Sequence, residues 1–197
     1  MTARTASITR QTSETDISLT LDLDDATSVD IGTGVPFLDH MLNAFAKHGW
    51  IGLTVEATGD QHIDPHHTVE DVGIVLGQAF REALGDRHGI ERYGSAYAPL
   101  DEALVRVVVD CSGRPYLDYH ADFPEALIGR DFAASLVEEF WRSFAVHSGL
   151  TIHIDLLRAR NSHHAAEAIC KAAAVAIRTA IRPADRAGMP STKGVLG

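Results

Sequence analysis

Two short stretches carry the side chains best suited to chemistry. "HHTVED" runs from His66 to Asp71 and "HHAAEA" from His163 to Ala168, so two adjacent histidines and a glutamate occur together twice. On a helix, His66 and Glu70 are four residues apart and His67 and Glu70 three, so each pair shares a face. The adjacent histidines diverge by about 100° around the axis at 3.6 residues per turn. They are badly placed for one ion and well placed to reach two. His163, His164 and Glu167 have the same divergence, and two such groupings predict a two-metal site with pseudo-twofold symmetry. Imidazole and carboxylate without thiolate suit a six-coordinate ion of intermediate hardness such as Mn²⁺, with Fe²⁺ or Zn²⁺ as competitors. HHxxE is not the HExxH of zinc proteases. One copy would read equally well as a polar helix start with glutamate favoured by the dipole; the repeat argues for ligands. His62, His88, His120 and His153 stand alone and read as loop, strand or core histidines.

The elements that must position these groups follow from periodicity. "ETDISLTLDLD" alternates as a half-buried strand, and "SVDIGT" reads as its partner. "GVPFLDHMLNAFAKHG" has helical spacing, with Pro36 near its first turn and Gly49 just past its end. "WIGLTVEATG" is a strand and "HHTVEDVGIVLGQAFREALGD" a long helix. After Gly94 the order returns: strands "DEALVRVVVDCSG" and "RPYLDYHADF", helix "DFAASLVEEFWRSFAVHSG", strand "LTIHIDLL", helix "SHHAAEAICKAAAVAIRTAI". Residues repeat too. With "HMLNAFAKH" placed above "EFWRSFAVH", Phe45 falls on Phe144, His48 on His147 and His40 on Glu139; Glu14 falls on Glu102. The expectation is an α+β fold of two internally duplicated ββαβα units, residues 1–93 and 94–182, followed by a tail at 183–197. Neither unit could easily bury its sheet alone, so sheets and helix layers should pack together.

Composition bounds the function. With 197 residues, 45% hydrophobic and 22% charged, the chain is ordinary globular material. A net charge of −10 argues against general nucleic-acid or membrane-surface binding, which needs a basic face. Any anionic ligand must be held by a few local Arg and Lys residues. Cys111 and Cys170 are too few for a disulfide scaffold and read as buried thiols. The start lacks an apolar leader and no apolar run reaches the ~20 residues of a membrane span, so a cytoplasmic protein is expected.

The motifs "GVPFLDHML", "HHTVEDVGI", "LDEAL", "SGRPY", "NSHHAAEA" and "PSTKGVLG" resemble the imidazoleglycerol-phosphate dehydratase family, the lyases of histidine biosynthesis, from about Ser7 to Gly197. The resemblance implies a ribosomal-S5-domain-2-like duplicated fold, the monofunctional form, two Mn²⁺ ions per site, and a 24-subunit homo-oligomer with active sites between subunits. It carries metal ligation to His40, His66, His67, Glu70, His163, His164 and Glu167. The family usually has a further histidine where this chain has Glu139, which the internal alignment makes a ligand. Substrate contacts carried over are Glu14, His40, His48, His66, Glu70, Arg92, Arg114, His163, Lys171, Ser191, Thr192 and Lys193. Arg forks suit a phosphate monoester, and the "PSTKG" tail adds hydroxyl and ammonium groups.

The implied reaction removes water from imidazole-glycerol phosphate to give imidazole-acetol phosphate. The hydrogen to be lost is not acidic, because no carbonyl adjoins it. An imidazolate ring, both nitrogens bound to metal, can instead expel the neighbouring hydroxyl and leave a diazafulvene-like species. The adjacent C–H is then acidic. Glu14, or failing it Glu167 moving between metal and substrate, is the candidate base, with Glu70 also among the catalytic candidates. His48 or a metal-bound water is the proton source for the departing hydroxyl. Two rivals stand beside this: a two-metal phosphate-ester hydrolase, and a non-catalytic metal-binding shell.

Overall fold

The structure, a computed structural model, describes residues 3–185, 188, 191 and 196. The first half holds β1 (Thr5–Gln11), β2 (Thr15–Asp22), β3 (Val29–Gly32), α1 (Pro36–Gly49), β4 (Gly52–Gly59) and α2 (His66–Leu84). The second holds β5 (Tyr93–Leu100), β6 (Ala103–Asp110), β7 (Tyr116–His120), the short β8 (Leu127–Ile128) and β9 (Phe132–Ala133), α3 (Ser135–Ser148), β10 (Thr151–Arg158) and α4 (Ser162–Ala180). The two four-stranded sheets share one topology, β1-β2-β4-β3 and β5-β6-β10-β7. In each, the last pair is parallel and the others antiparallel.

Period-two alternation makes β2 and β6 strands: Ile17, Leu19 and Leu21, like Val105, Val107 and Val109, point inward while the residues between them face out. Two expectations need correction. Each half has a further strand, β1 or β5, ahead of the two read from sequence. Their residues, "TASITRQ" and "YGSAYAPL", are small or polar and bury little, so they lack the apolar alternation that marks a strand. And β3 is not the partner of β2; it pairs in parallel with β4, a long-range pairing that local pattern does not encode. The end of α1 also shifts by a residue. Gly49 is helical and the left-handed cap is Trp50 at φ 55°, with Arg178 stacked 4.3 Å over its ring.

The helices lie between the sheets. α2 packs on β1, β2 and β4, and α4 on β5, β6 and β10. Across the middle, α1 packs on α4 and α2 on α3, so every helix–helix contact of this kind joins one half to the other. Phe45, Phe80, Trp141 and Phe144 meet there edge to face. Burying each such ring stabilises the fold by about 1.5–3 kcal/mol, and the rings come from both halves.

Glycine sets how closely α2 and α3 approach. A Cβ at Gly73 would fall 2.8 Å from the Phe140 carbonyl oxygen, and one at Gly77 would fall 2.8 Å from that of Phe144. The two helices therefore rise side by side, Gly73 against Phe140 and Gly77 against Phe144. Three residues before Gly73 and one before Phe140, Glu70 of α2 lies beside Glu139 of α3. Cys111 and Cys170 are buried and free. Among the described residues no helix is long and apolar enough to cross a membrane.

Candidate active site

The paired helices bring histidines and carboxylates together in groups. His40 of α1 meets His163 and Glu167 of α4, and Glu139 of α3 meets His66 and Glu70 of α2; in each group the ligand atoms lie within 4.8 Å of one another. Each group therefore draws on both halves of the chain. In the first, Glu167 Oε2 is 3.4 Å from both His40 Nε2 and His163 Nε2. In the second, Glu70 Oε2 is 3.8 Å from His66 Nε2. These are nitrogen- and oxygen-only donor sets, borderline to hard and without thiolate, which fit a divalent ion of intermediate hardness such as Mn²⁺. Glu138 is taken up by an ion pair with Arg142 and His147 by the Ser143 carbonyl, so neither joins the second group.

The adjacent histidines do diverge. The His66 and His67 rings stand at 90° with centroids 6.0 Å apart, and those of His163 and His164 at 86° and 6.3 Å. The outer member of each pair turns to its own carboxylate. His67 Nδ1 is 3.0 Å from Asp60, and His164 Nδ1 is 2.9 Å from Glu102. The hydrogen bond to Asp60 raises the His67 pKa and that to Glu102 raises His164; the same bond holds Glu102 down to about 2. Glu14 Oε2 lies 3.8 Å from His67 Nδ1, and its side chain is 51% exposed.

A cleft of about 680 Å³ opens beside the first group, lined by His40, His48, Glu167 and Lys171 among others. Burial, then the Lys171 ammonium, lowers the His48 pKa. Burial opposes ionisation of Glu167, but Lys171, 2.5 Å away, and His40 outweigh it and hold its pKa below the ordinary value. Phe37 walls the group, 5.3 Å from the His163 ring and 4.8 Å from Phe132.

Arg92 and Arg114 converge elsewhere, on Asp110. Arg92 holds it through Nε at 2.7 Å and Nη2 at 3.1 Å, and Arg114 lies 3.9 Å from it. The Arg92 backbone N–H donates to the Ala180 carbonyl at the end of α4. Glu167 sits 13 residues earlier on that helix, which at 1.5 Å per residue is about 20 Å away. Arg92 is therefore anchored far along α4 from the group that holds Glu167. Ser191 is partly buried; Thr192 and Lys193 lie outside the described residues. Sequence reading passed over Asp60, Glu102 as a histidine partner, and Phe37. Glu102 carried a signal, its alignment with Glu14; Asp60 carried none, because its partnership with His67 depends on how the loop after β4 returns.

A family model described as imidazoleglycerol-phosphate dehydratase matches residues 33–177. Imidazoleglycerol-phosphate dehydratase of Thiobacillus denitrificans is 56% identical over 98% of this chain and 100% of its own, and that of Thioalkalivibrio sulfidiphilus 54% identical over 100% of both. The crystal structure of the enzyme from Staphylococcus aureus superposes with a TM-score of 0.83 at 42% identity, covering 91% of this chain and 99% of that one. That from Pyrococcus furiosus, in complex with (S)-C348, also gives 0.83 at 38% identity, covering 96% and 100%. The chain belongs to the imidazoleglycerol-phosphate dehydratase family and is a hydro-lyase.

Proposed function

We propose that this enzyme dehydrates imidazole-glycerol phosphate to imidazole-acetol phosphate in histidine biosynthesis, at a site holding two Mn²⁺ ions. The observation that carries the reading is the pair of histidine–carboxylate groups, each assembled from both halves of the chain. His40, His163 and Glu167 would hold one ion, and His66, Glu70 and Glu139 the other. His67 and His164 turn away from these groups and would reach ions of neighbouring copies. When bound, the cations supply the Lewis acidity that favours the substrate ring as its anion.

The chain's own residues do the rest. Glu14, half-exposed beside His67, takes the proton from the carbon bearing the second hydroxyl once the first has left; Glu167 and Glu70 are the alternatives. His48 faces the cleft and gives a proton to the departing hydroxyl. Its lowered pKa makes the protonated ring a readier donor, though fewer molecules carry that proton at pH 7. Lys171 offsets the charge of Glu167, and Phe37 keeps water from one side of the group. Arg92 and Arg114, with Ser191, Thr192 and Lys193 of the tail, bind the phosphate.

Arg92 is anchored about 20 Å along α4 from Glu167, a long reach for one small substrate within a chain. That separation supports complete sites that combine copies, in the 24-subunit homo-oligomer that the family resemblance implies. Incubating Mn²⁺-loaded protein with imidazole-glycerol phosphate tests the reading. The ketone should form with its phosphate retained. Release of inorganic phosphate without ketone would make the enzyme a phosphate-ester hydrolase instead.

A further inference from the structure

The two halves treat their outer histidines alike but with different carboxylates. In the second half, Glu102, just ahead of β6, sits 2.9 Å from His164 Nδ1. It also accepts the Arg160 backbone N–H at 3.2 Å. In the first half the aligned residue is Glu14, just ahead of β2, yet it stands 3.8 Å from His67 Nδ1. Asp60 fills the place, with carboxylate oxygens 3.0 and 3.2 Å from that nitrogen. The Asp60 backbone N–H donates to the Glu14 carbonyl at 3.1 Å, so the two residues are neighbours by construction.

The second half has no counterpart of Asp60. Counting back from His164 by the interval that separates His67 from Asp60 gives Leu157, and counting from the end of the strand gives Ala159. Neither can accept a hydrogen bond through its side chain. Burial follows the same division: the side chains of Asp60 and Glu102 are 13% and 20% exposed, against 51% for Glu14.

We propose that Asp60 and Glu102 are positioning residues that hold the protons of His67 and His164 on Nδ1 and so present Nε2 as the ligand atom. By taking this duty in the first half, Asp60 releases Glu14 to meet the substrate. A carboxylate behind a histidine fixes its tautomer and ring direction and makes the other nitrogen a stronger ligand. The duplicated unit thus keeps two oriented histidines and converts one of two equivalent glutamates into a base. This rests on reading His67 and His164 as metal ligands and Glu14 as the base.

Titrating Mn²⁺ into the full-length protein and its variants, with binding as the readout, tests the division. Asp60→Asn and Glu102→Gln should each weaken Mn²⁺ binding about 10- to 100-fold, whereas Glu14→Gln should leave it within about twofold and remove turnover. In a His67→Ala background, Asp60→Asn should change Mn²⁺ binding no further, since its effect passes through that ring. A purely structural role would lower binding in both backgrounds and would overturn the proposal. So would weakened binding in Glu14→Gln with none in Asp60→Asn. If Asp60→Asn fails to fold, Glu102→Gln with His164→Ala makes the same cycle in the other half. Failure of the wild-type protein to bind Mn²⁺ would instead overturn the metal reading on which the proposal rests.

Discussion

His40 and Glu139 are each the fifth residue of their helix, and each faces a histidine–glutamate pair at the start of a helix from the other half. The duplication is thus exact in position and inexact in chemistry, nitrogen on one side and oxygen on the other. Mn²⁺ accepts either. Glu139→Ala should lose about one ion of the pair and most turnover, while Glu139→His should keep both ions and at least part of the turnover. Bound metal per subunit in the two variants decides it; two ions and normal turnover in Glu139→Ala would remove Glu139 from the ligand set.

Helix identity, helix faces and the pseudo-symmetry were legible in the sequence because each is a local pattern. The alignment of His40 with Glu139 needed only nine residues on each side, and Glu139 does sit with His66 and Glu70. What was not legible depends on chain return. The loop after β4 puts Asp60 under His67, and β3 leaves β2 for β4. Edge strands β1 and β5 escaped because one face is solvated and the other buries few large side chains.

Gly77 ties the fold to the site. A Cβ there would lie 2.8–2.9 Å from the Phe144 carbonyl oxygen, the His147 Cβ and the Ser148 nitrogen. Alanine would gain helix propensity of about 1 kcal/mol, but backbone atoms on a packed helix cannot yield as a flexible side chain can. Gly77→Ala should therefore destabilise by about 1–3 kcal/mol, read as a lower Tm at fixed protein concentration. It should also weaken Mn²⁺ binding by pushing Glu139 from Glu70. A Tm unchanged or raised would show that α2 and α3 can separate freely.

Metal removal should act on assembly as well as on rate. His67 and His164 face away from their own chain's groups, and the Arg92 backbone is tied to α4 about 20 Å along the helix from Glu167. If copies share ions, chelation removes a bond between subunits, and binding becomes part of association. Exhaustive chelation should abolish turnover and shift the protein to smaller species by sedimentation, and added Mn²⁺ should restore both. Full activity after verified metal loss would refute the two-metal reading.

The tail offers a test that leaves the metal groups alone. Within it, the Gly188 carbonyl accepts the Gly89 N–H at 3.4 Å and the Ala184 N–H donates to the Gly89 carbonyl at 2.8 Å, so both residues are tied to Gly89. Ending the chain after Gly188 removes Ser191, Thr192 and Lys193 while sparing both bonds, so the fold and its Mn²⁺ stoichiometry should persist. Phosphate would then be met by Arg92 and Arg114 without the tail's hydroxyls and ammonium. Both ground and transition states carry the same phosphate, so its loss of contacts falls on uniform binding. KM should rise about tenfold or more, the equivalent of losing roughly 1.4 kcal/mol, with kcat much less affected. An unchanged KM would show that the tail does not hold the phosphate, and a fall confined to kcat would place it at the reacting carbons instead.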